Sequence, residues 1–71
     1  MAKRSEVAAK FGDKLRKLRS GRRVSQEELA DRACLHRTYV SSVERGERNV
    51  SLETIQKLAR ALDLPMSDLM P

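Results

Sequence analysis

Apolar positions recur along this chain every three or four residues, and a strict two-residue alternation of the strand type is almost absent. Val7, Phe11, Leu15 and Leu18 make one stripe of a helix from about Glu6 to Arg19, with Lys10, Asp13, Lys14, Arg16 and Lys17 on its solvated side. Ser20-Gly21-Arg22-Arg23 ends that helix, and Gly21 suits a left-handed C-cap. A second helix opens on Ser25-Gln26-Glu27-Glu28, a capping box in which Ser25 accepts an amide and Glu28 reaches back; Leu29, Ala30 and Ala33 form its stripe. The third runs from about His36 or Arg37 to Arg45 and stops at Gly46, with Val40 and Val43 on its apolar side. After the loop Glu47-Arg48-Asn49-Val50, Ser51 caps a fourth helix striped by Leu52, Ile55, Leu58, Ala59 and Leu62. Asp63-Leu64-Pro65 breaks it, and Pro65 suits the first turn of a last short helix carrying Met66, Leu69 and Met70. Met1–Ser5 is short, basic and unpatterned, so a frayed terminus is expected. The pattern predicts an all-α fold: one compact five-helix domain over residues 1–71, without repeat or linker.

Composition narrows what such a domain does. At 71 residues the chain buries only about 60% of the surface its unfolded form exposes, so its core is small. The formal charge is +5 and the pI about 10.0, which points to a polyanionic partner, nucleic acid before an acidic membrane surface. No apolar run approaches the roughly 20 residues of a membrane span, and no apolar segment follows the basic start as in a signal peptide. No membrane association is expected, and the cytoplasm is the default compartment. One Cys and one His cannot close a tetrahedral metal shell, and no third group orients them for nucleophilic catalysis, so neither metal, cofactor nor enzyme activity is expected. One Phe, one Tyr and no Trp argue against a stacking platform for single strands.

The informative stretch is Ser25 to Arg45, where two short helices are joined by only a few residues, the geometry of a helix-turn-helix. Behind Val40 and Val43 the third helix shows Arg37, Thr38, Tyr39, Ser41, Ser42 and Arg45, side chains able to bond base edges or phosphates. The expectation is that this face lies in a DNA major groove. Gln26 stands where free amides and the helix dipole attract phosphate, although an ordinary surface Gln reads the same way. Arg22 and Arg23 have two readings as well, phosphate contacts or plain exposed loop residues.

Leu15-Arg16-Lys17-Leu18-Arg19, Ser25-Gln26-Glu27-Glu28-Leu29-Ala30 and Val43-Glu44-Arg45-Gly46 together resemble the Cro/C1-type (XRE) helix-turn-helix family. Within it, His36-Arg37-Thr38-Tyr39-Val40-Ser41 and Glu44-Arg45-Gly46-Glu47-Arg48-Asn49 look most like the small controller proteins of restriction–modification systems. The resemblance implies a lambda-repressor-like domain with the motif at helices two and three, and a dimeric transcription regulator on double-stranded DNA. Carried over, it places Arg37, Thr38, Ser41 and Ser42 at base edges and Gln26, His36, Tyr39, Arg45, Arg48 and Asn49 on the DNA backbone. It also pairs Arg19 with Glu44 as a structural bridge between helices one and three.

Two departures mark the turn. Cys34 stands where glycine is common, and a positive φ there costs a non-glycine residue about 1–2 kcal/mol, so a rearranged turn is one expectation. His36 replaces a usual Ser or Thr cap. Cys34 reads first as a small, partly buried structural residue and second as a redox sensor beside Arg32 and Arg37. A small core together with Leu64, Met66, Leu69 and Met70 at the end of the chain predicts a symmetric homodimer. RNA polymerase is a further candidate partner, through Glu27, Glu28 and Asp31. Two alternatives stay open: a phage-type repressor, and an antitoxin-like protein-interaction module on the same fold.

Overall fold

The computed structural model describes residues 6–70; the expectation for Met1–Ser5 lies outside the described residues. These residues form four α-helices, α1 Glu6–Gly21, α2 Gln26–Ala33, α3 Arg37–Glu44 and α4 Leu52–Ala61, followed by a single 3-10 turn at Met66–Asp68. The all-α expectation and the helix-turn-helix placement agree with this, but the fifth helix does not. Between Pro65, which has no amide hydrogen to donate, and Leu69, which plugs into the core, only three residues are left to wind.

Starts and stops of the helices follow local chemistry. Ser25 Oγ accepts the Glu28 amide at 3.0 Å, and Ser51 Oγ accepts the Thr54 amide at 3.1 Å. The other half of the Ser25 box is spent differently: the Glu28 carboxylate pairs with Arg32 one turn on. At the C-terminal ends, Arg23, Cys34, Gly46 and Asp63 take left-handed conformations with φ of 57°, 57°, 74° and 58°. Each closes a Schellman pair of backbone bonds, Val24 N–H to Arg19 O, Leu35 N–H to Ala30 O, Glu47 N–H to Ser42 O and Leu64 N–H to Ala59 O being the longer loops. Val24, Leu35 and Leu64, the residues just past three of these caps, pack onto the core, and that packing helps hold Arg23, Cys34 and Asp63 in a conformation glycine would adopt more cheaply. The expected cap at Gly21 is therefore displaced by two residues, to Arg23.

α3 lies against α1 and α2, α4 closes over α2, and the 3-10 turn folds back on α4. Leu15, Leu29, Val40, Val43, Leu58, Leu62 and Leu69 are the largest fully buried side chains among the described residues, each worth about 1.5–3 kcal/mol of burial. Two expected stripe members are outside instead: Val7 is 63% exposed and Leu52 65% exposed. On α1 the buried residue of that turn is Ala8, because α3 ends so close by. A β-carbon added to Gly12 would lie 2.3 Å from the Val43 carbonyl oxygen, and one on Gly46 would lie 2.8 Å from the Ala9 Cα. Backbones at that separation leave no room for valine.

Leu69 is 0% exposed and belongs to the domain's own core, which corrects its assignment to a dimer surface. Leu64 and Met66 are half-buried against the same core, and Met70 stands 39% exposed beyond it, its carbonyl accepting Lys14 Nζ at 2.9 Å.

Candidate nucleic-acid interface

The turn between α2 and α3 keeps its ordinary shape although its pivot is Cys34, at φ 57° and ψ 44°. The expected rearrangement does not occur; the Leu35 amide closes on Ala30 O at 2.8 Å and Leu35 anchors the turn to the core. Cys34 is exposed rather than partly buried, because the left-handed conformation turns its side chain outward. His36 supplies no side-chain cap to α3, and its ring is exposed beside the first turn.

α3 is fixed from behind. Its inward face carries Val40, Val43 and Glu44, all buried. Arg19 of α1 grips Glu44 with two parallel bonds, Nε to Oε2 at 2.6 Å and Nη2 to Oε1 at 3.0 Å, and its Nη1 donates to the Val24 carbonyl at 2.8 Å. Gln26 Nε2 donates to Glu44 Oε1 at 3.0 Å. With side chains only 14% and 2% exposed, this pair locks α1, α2 and α3 into one unit. Gln26 is thus engaged inward by its amide nitrogen, while it stays half-buried at the first position of α2.

The outward face is arranged in two tiers. Arg37 and Thr38 on the first turn are exposed, and Arg37 shares an open groove with Ser25, Glu27, Glu28, Asp31 and His36. Ser41 and Ser42 are half-buried one turn on. Ser42 Oγ donates to the Thr38 carbonyl at 2.9 Å, a back-bond that consumes its hydrogen. The Ser41 hydroxyl accepts a bond from Arg45 Nη1. Arg45 in turn meets Glu47 through Nε to Oε2 at 3.1 Å and Nη2 to Oε1 at 3.0 Å, and the Glu47 carboxylate beside it raises the guanidinium's already high pKa. Arg48 lies 5.5 Å from the centre of the Tyr39 ring, within cation–π range. Ser42, Glu47, Arg48 and Asn49 line a second shallow depression at this end of α3.

The structure therefore brings Arg37, Thr38, Ser41, Ser42, Arg45, Arg48 and Asn49 to one side of the domain, with Tyr39 under Arg48 and His36 at the edge. Glu47 and the way it binds Arg45 were not anticipated. A signal was present, since Ser41 and Arg45 are four apart on a helix and Glu47 is an acidic residue inside a basic run.

This arrangement defines a class, a helix-turn-helix domain whose second helix is buttressed from behind and polar in front. Residues 15–69 match the helix-turn-helix family model, and the chain belongs to that family, of the Cro/C1 (XRE) type. It is similar to the control protein C.BamHI of Bacillus amyloliquefaciens, 51% identical over 61 residues that span 84% of this chain and 75% of that protein. Its fold is similar to the restriction–modification controller protein C.AhdI from Aeromonas hydrophila, with a TM-score of 0.87, 52% identity and coverage of 89% of this chain and 96% of that one. It is also similar to the controller protein C.Esp1396I, seen as a tetramer in complex with its natural 35 base-pair operator, with a TM-score of 0.82, 30% identity and coverage of 86% and 80%.

Proposed function

We propose that this chain is a sequence-specific regulator of transcription that binds a palindromic operator in double-stranded DNA as a symmetric dimer, as a restriction–modification controller does. The observation that carries the reading is the division of α3 into a locked inner face and an exposed polar outer one. Arg37 is the residue assigned to a guanine edge, with Thr38, Ser41 and Ser42 beside it at neighbouring bases. Arg48, over Tyr39, and Asn49, together with Gln26 and His36, hold the domain on the sugar-phosphate backbone, whereas Arg45, also a backbone candidate by residue type, is engaged by Glu47 and Ser41. The tyrosine ring under Arg48 limits the paths its side chain can take, which suits a positioning contact. No enzymatic step is assigned to any residue, and the cytoplasm, where such an operator lies, is the compartment.

Dimerisation accounts for apolar surface that the protomer leaves uncovered. Met70 is 39% exposed, and Leu64 and Met66 are only half-buried, so these three are the proposed contact residues. Two copies related by a two-fold axis would set their α3 helices about 34 Å apart, one turn of duplex. Exposed Glu27, Glu28 and Asp31 on α2 provide the surface proposed for RNA polymerase.

A protein-interaction module on this fold would show apolar anchors on α3. Among the described residues the exposed large apolar ones are Val7, Leu52 and Met70, none of them on that helix. Selection of bound sites from a random duplex pool tests the reading. A two-fold symmetric consensus with half-sites one turn apart is expected; an unenriched pool would reject it.

A further inference from the structure

The end of α3 holds a device that the reading of this face as a DNA contact does not use. Arg45 is the exposed C-cap of α3, yet all three of its guanidinium nitrogens face acceptors of the protein itself: Nε and Nη2 the Glu47 carboxylate, Nη1 the Ser41 hydroxyl. The two side chains are 54% and 48% exposed, so burial does not force the pairing. We propose that Glu47 is a specificity-determining residue that acts through Arg45, holding the guanidinium across Ser41 and away from the phosphates.

Two consequences follow from hydrogen-bond chemistry, and both rest on α3 facing base edges. First, a Ser41 oxygen occupied by a cation turns its hydrogen outward, so Ser41 is presented as a donor. Its matches in the major groove are guanine O6 or N7, adenine N7 and thymine O4. Ser42 is set the opposite way. Its hydrogen is committed to the Thr38 carbonyl, so it presents an acceptor, matched by the amino group of cytosine or adenine. Adjacent serines of identical chemistry are thereby given unlike preferences, and only the first depends on Glu47. Second, the Glu47 carboxylate cancels one cation in the part of the interface nearest the backbone. Non-specific binding comes almost wholly from cation–phosphate attraction, so this pairing weakens it for every sequence. Glu47 is a positioning residue on this account, making its contribution by restraining a neighbour rather than by touching a base.

The test compares the full chain with Glu47→Ala, Arg45→Ala and the double variant, on a selected operator, its single-base variants and an unrelated duplex, across a salt series. Glu47→Ala should bind the unrelated duplex more tightly, with a salt slope steeper by about one unit for the released Arg45. At one base position, that of Ser41, discrimination should fall roughly two- to tenfold, the worth of one neutral hydrogen bond. The positions of Ser42 and Arg37 should keep theirs. Arg45→Ala should relax the same position without the gain on unrelated duplex, and the double variant should lose that gain. Thermal unfolding should not move for any of the three, since the pair is exposed. If Glu47→Ala lowers affinity for all duplexes alike, or leaves both slope and base profile unchanged while the parent still prefers its operator, the inference fails and the DNA-binding reading stands. A parent chain without preference for any duplex would overturn both.

Discussion

Glu44 and Arg45 are neighbours in sequence, and each belongs to a two-pronged arginine–carboxylate pair, but the pairs live in different parts of the molecule. Arg19–Glu44 is sunk in the junction of α1, α2 and α3, where the carboxylate is almost fully buried and answered by protein donors. Arg45–Glu47 stands at the C-terminal end of the same helix, where the chain enters the following loop, in solvent. The same chemistry therefore does two jobs. Inside, charges once buried must stay paired, so the pair fixes the orientation of α3. Outside, an exposed pair contributes only about 0–1 kcal/mol and can open or close with what binds there.

The comparison breaks most visibly from the inside. Glu44→Ala leaves the Arg19 guanidinium buried without its partner, which costs about 3–5 kcal/mol, comparable to all the net stability expected of so small a core. Thermal unfolding should find the variant largely unfolded at physiological temperature; a melting curve like the parent's would remove the inner pair from the account. Gly12→Ala attacks the same junction through its backbone. Its methyl would have to displace the Val43 carbonyl, and a loss of about 1–3 kcal/mol is expected in denaturant unfolding. Because that shift moves α3 itself, operator affinity should fall with it.

On the outside, effects should appear in binding and spare the fold. Arg37→Ala is expected to cost about 1–3 kcal/mol on the operator and to relax preference at one base position, with melting unchanged. Arg48→Ala should weaken all duplexes to a similar degree and make the salt dependence shallower by about one unit for each phosphate that Arg48 neutralises. The smallest expected effect sharpens the turn between the two faces. Cys34→Gly relieves a left-handed β-carbon already compensated by Leu35, so stability should rise only slightly, by about 1 kcal/mol or less in thermal unfolding.

The sequence made much of this legible, and its failures have a common cause. Ser25 and Ser51 announced their helices because a cap is a local device, readable from a few neighbouring residues. The stripes of α2, α3 and α4 were readable for the same reason, since Leu29, Val40, Val43, Ile55 and Leu58 follow the helical period. What escaped depended on how elements meet. Val7 fits the period of α1 but faces water, because the approach of Gly46 to Ala9 sets which side of that helix is inner. Leu69 looked superfluous on a terminal helix; without that helix, it is the residue that seals the core beneath α4. Left-handed caps at Arg23 and Asp63 were hidden because glycine is the usual sign, and here the following Val24 and Leu64 hold the turn instead. On the outer face, residue types gave the candidates for DNA contact, but which of them are engaged with one another could be seen only once α3 and the loop after it were placed together. Arg45 looked as available as Arg37, and it is held by Glu47 and Ser41.

The central claim is that the outward face of α3 reads bases while the loop after it grips the backbone. Its most direct test is the full single-base substitution profile of the selected operator, measured for the parent chain, Arg37→Ala and Arg48→Ala at fixed salt. The account predicts that Arg37→Ala flattens the profile at one symmetric pair of positions, and that Arg48→Ala lowers every affinity while keeping the profile's shape. Equal, sequence-independent losses in both variants would contradict it.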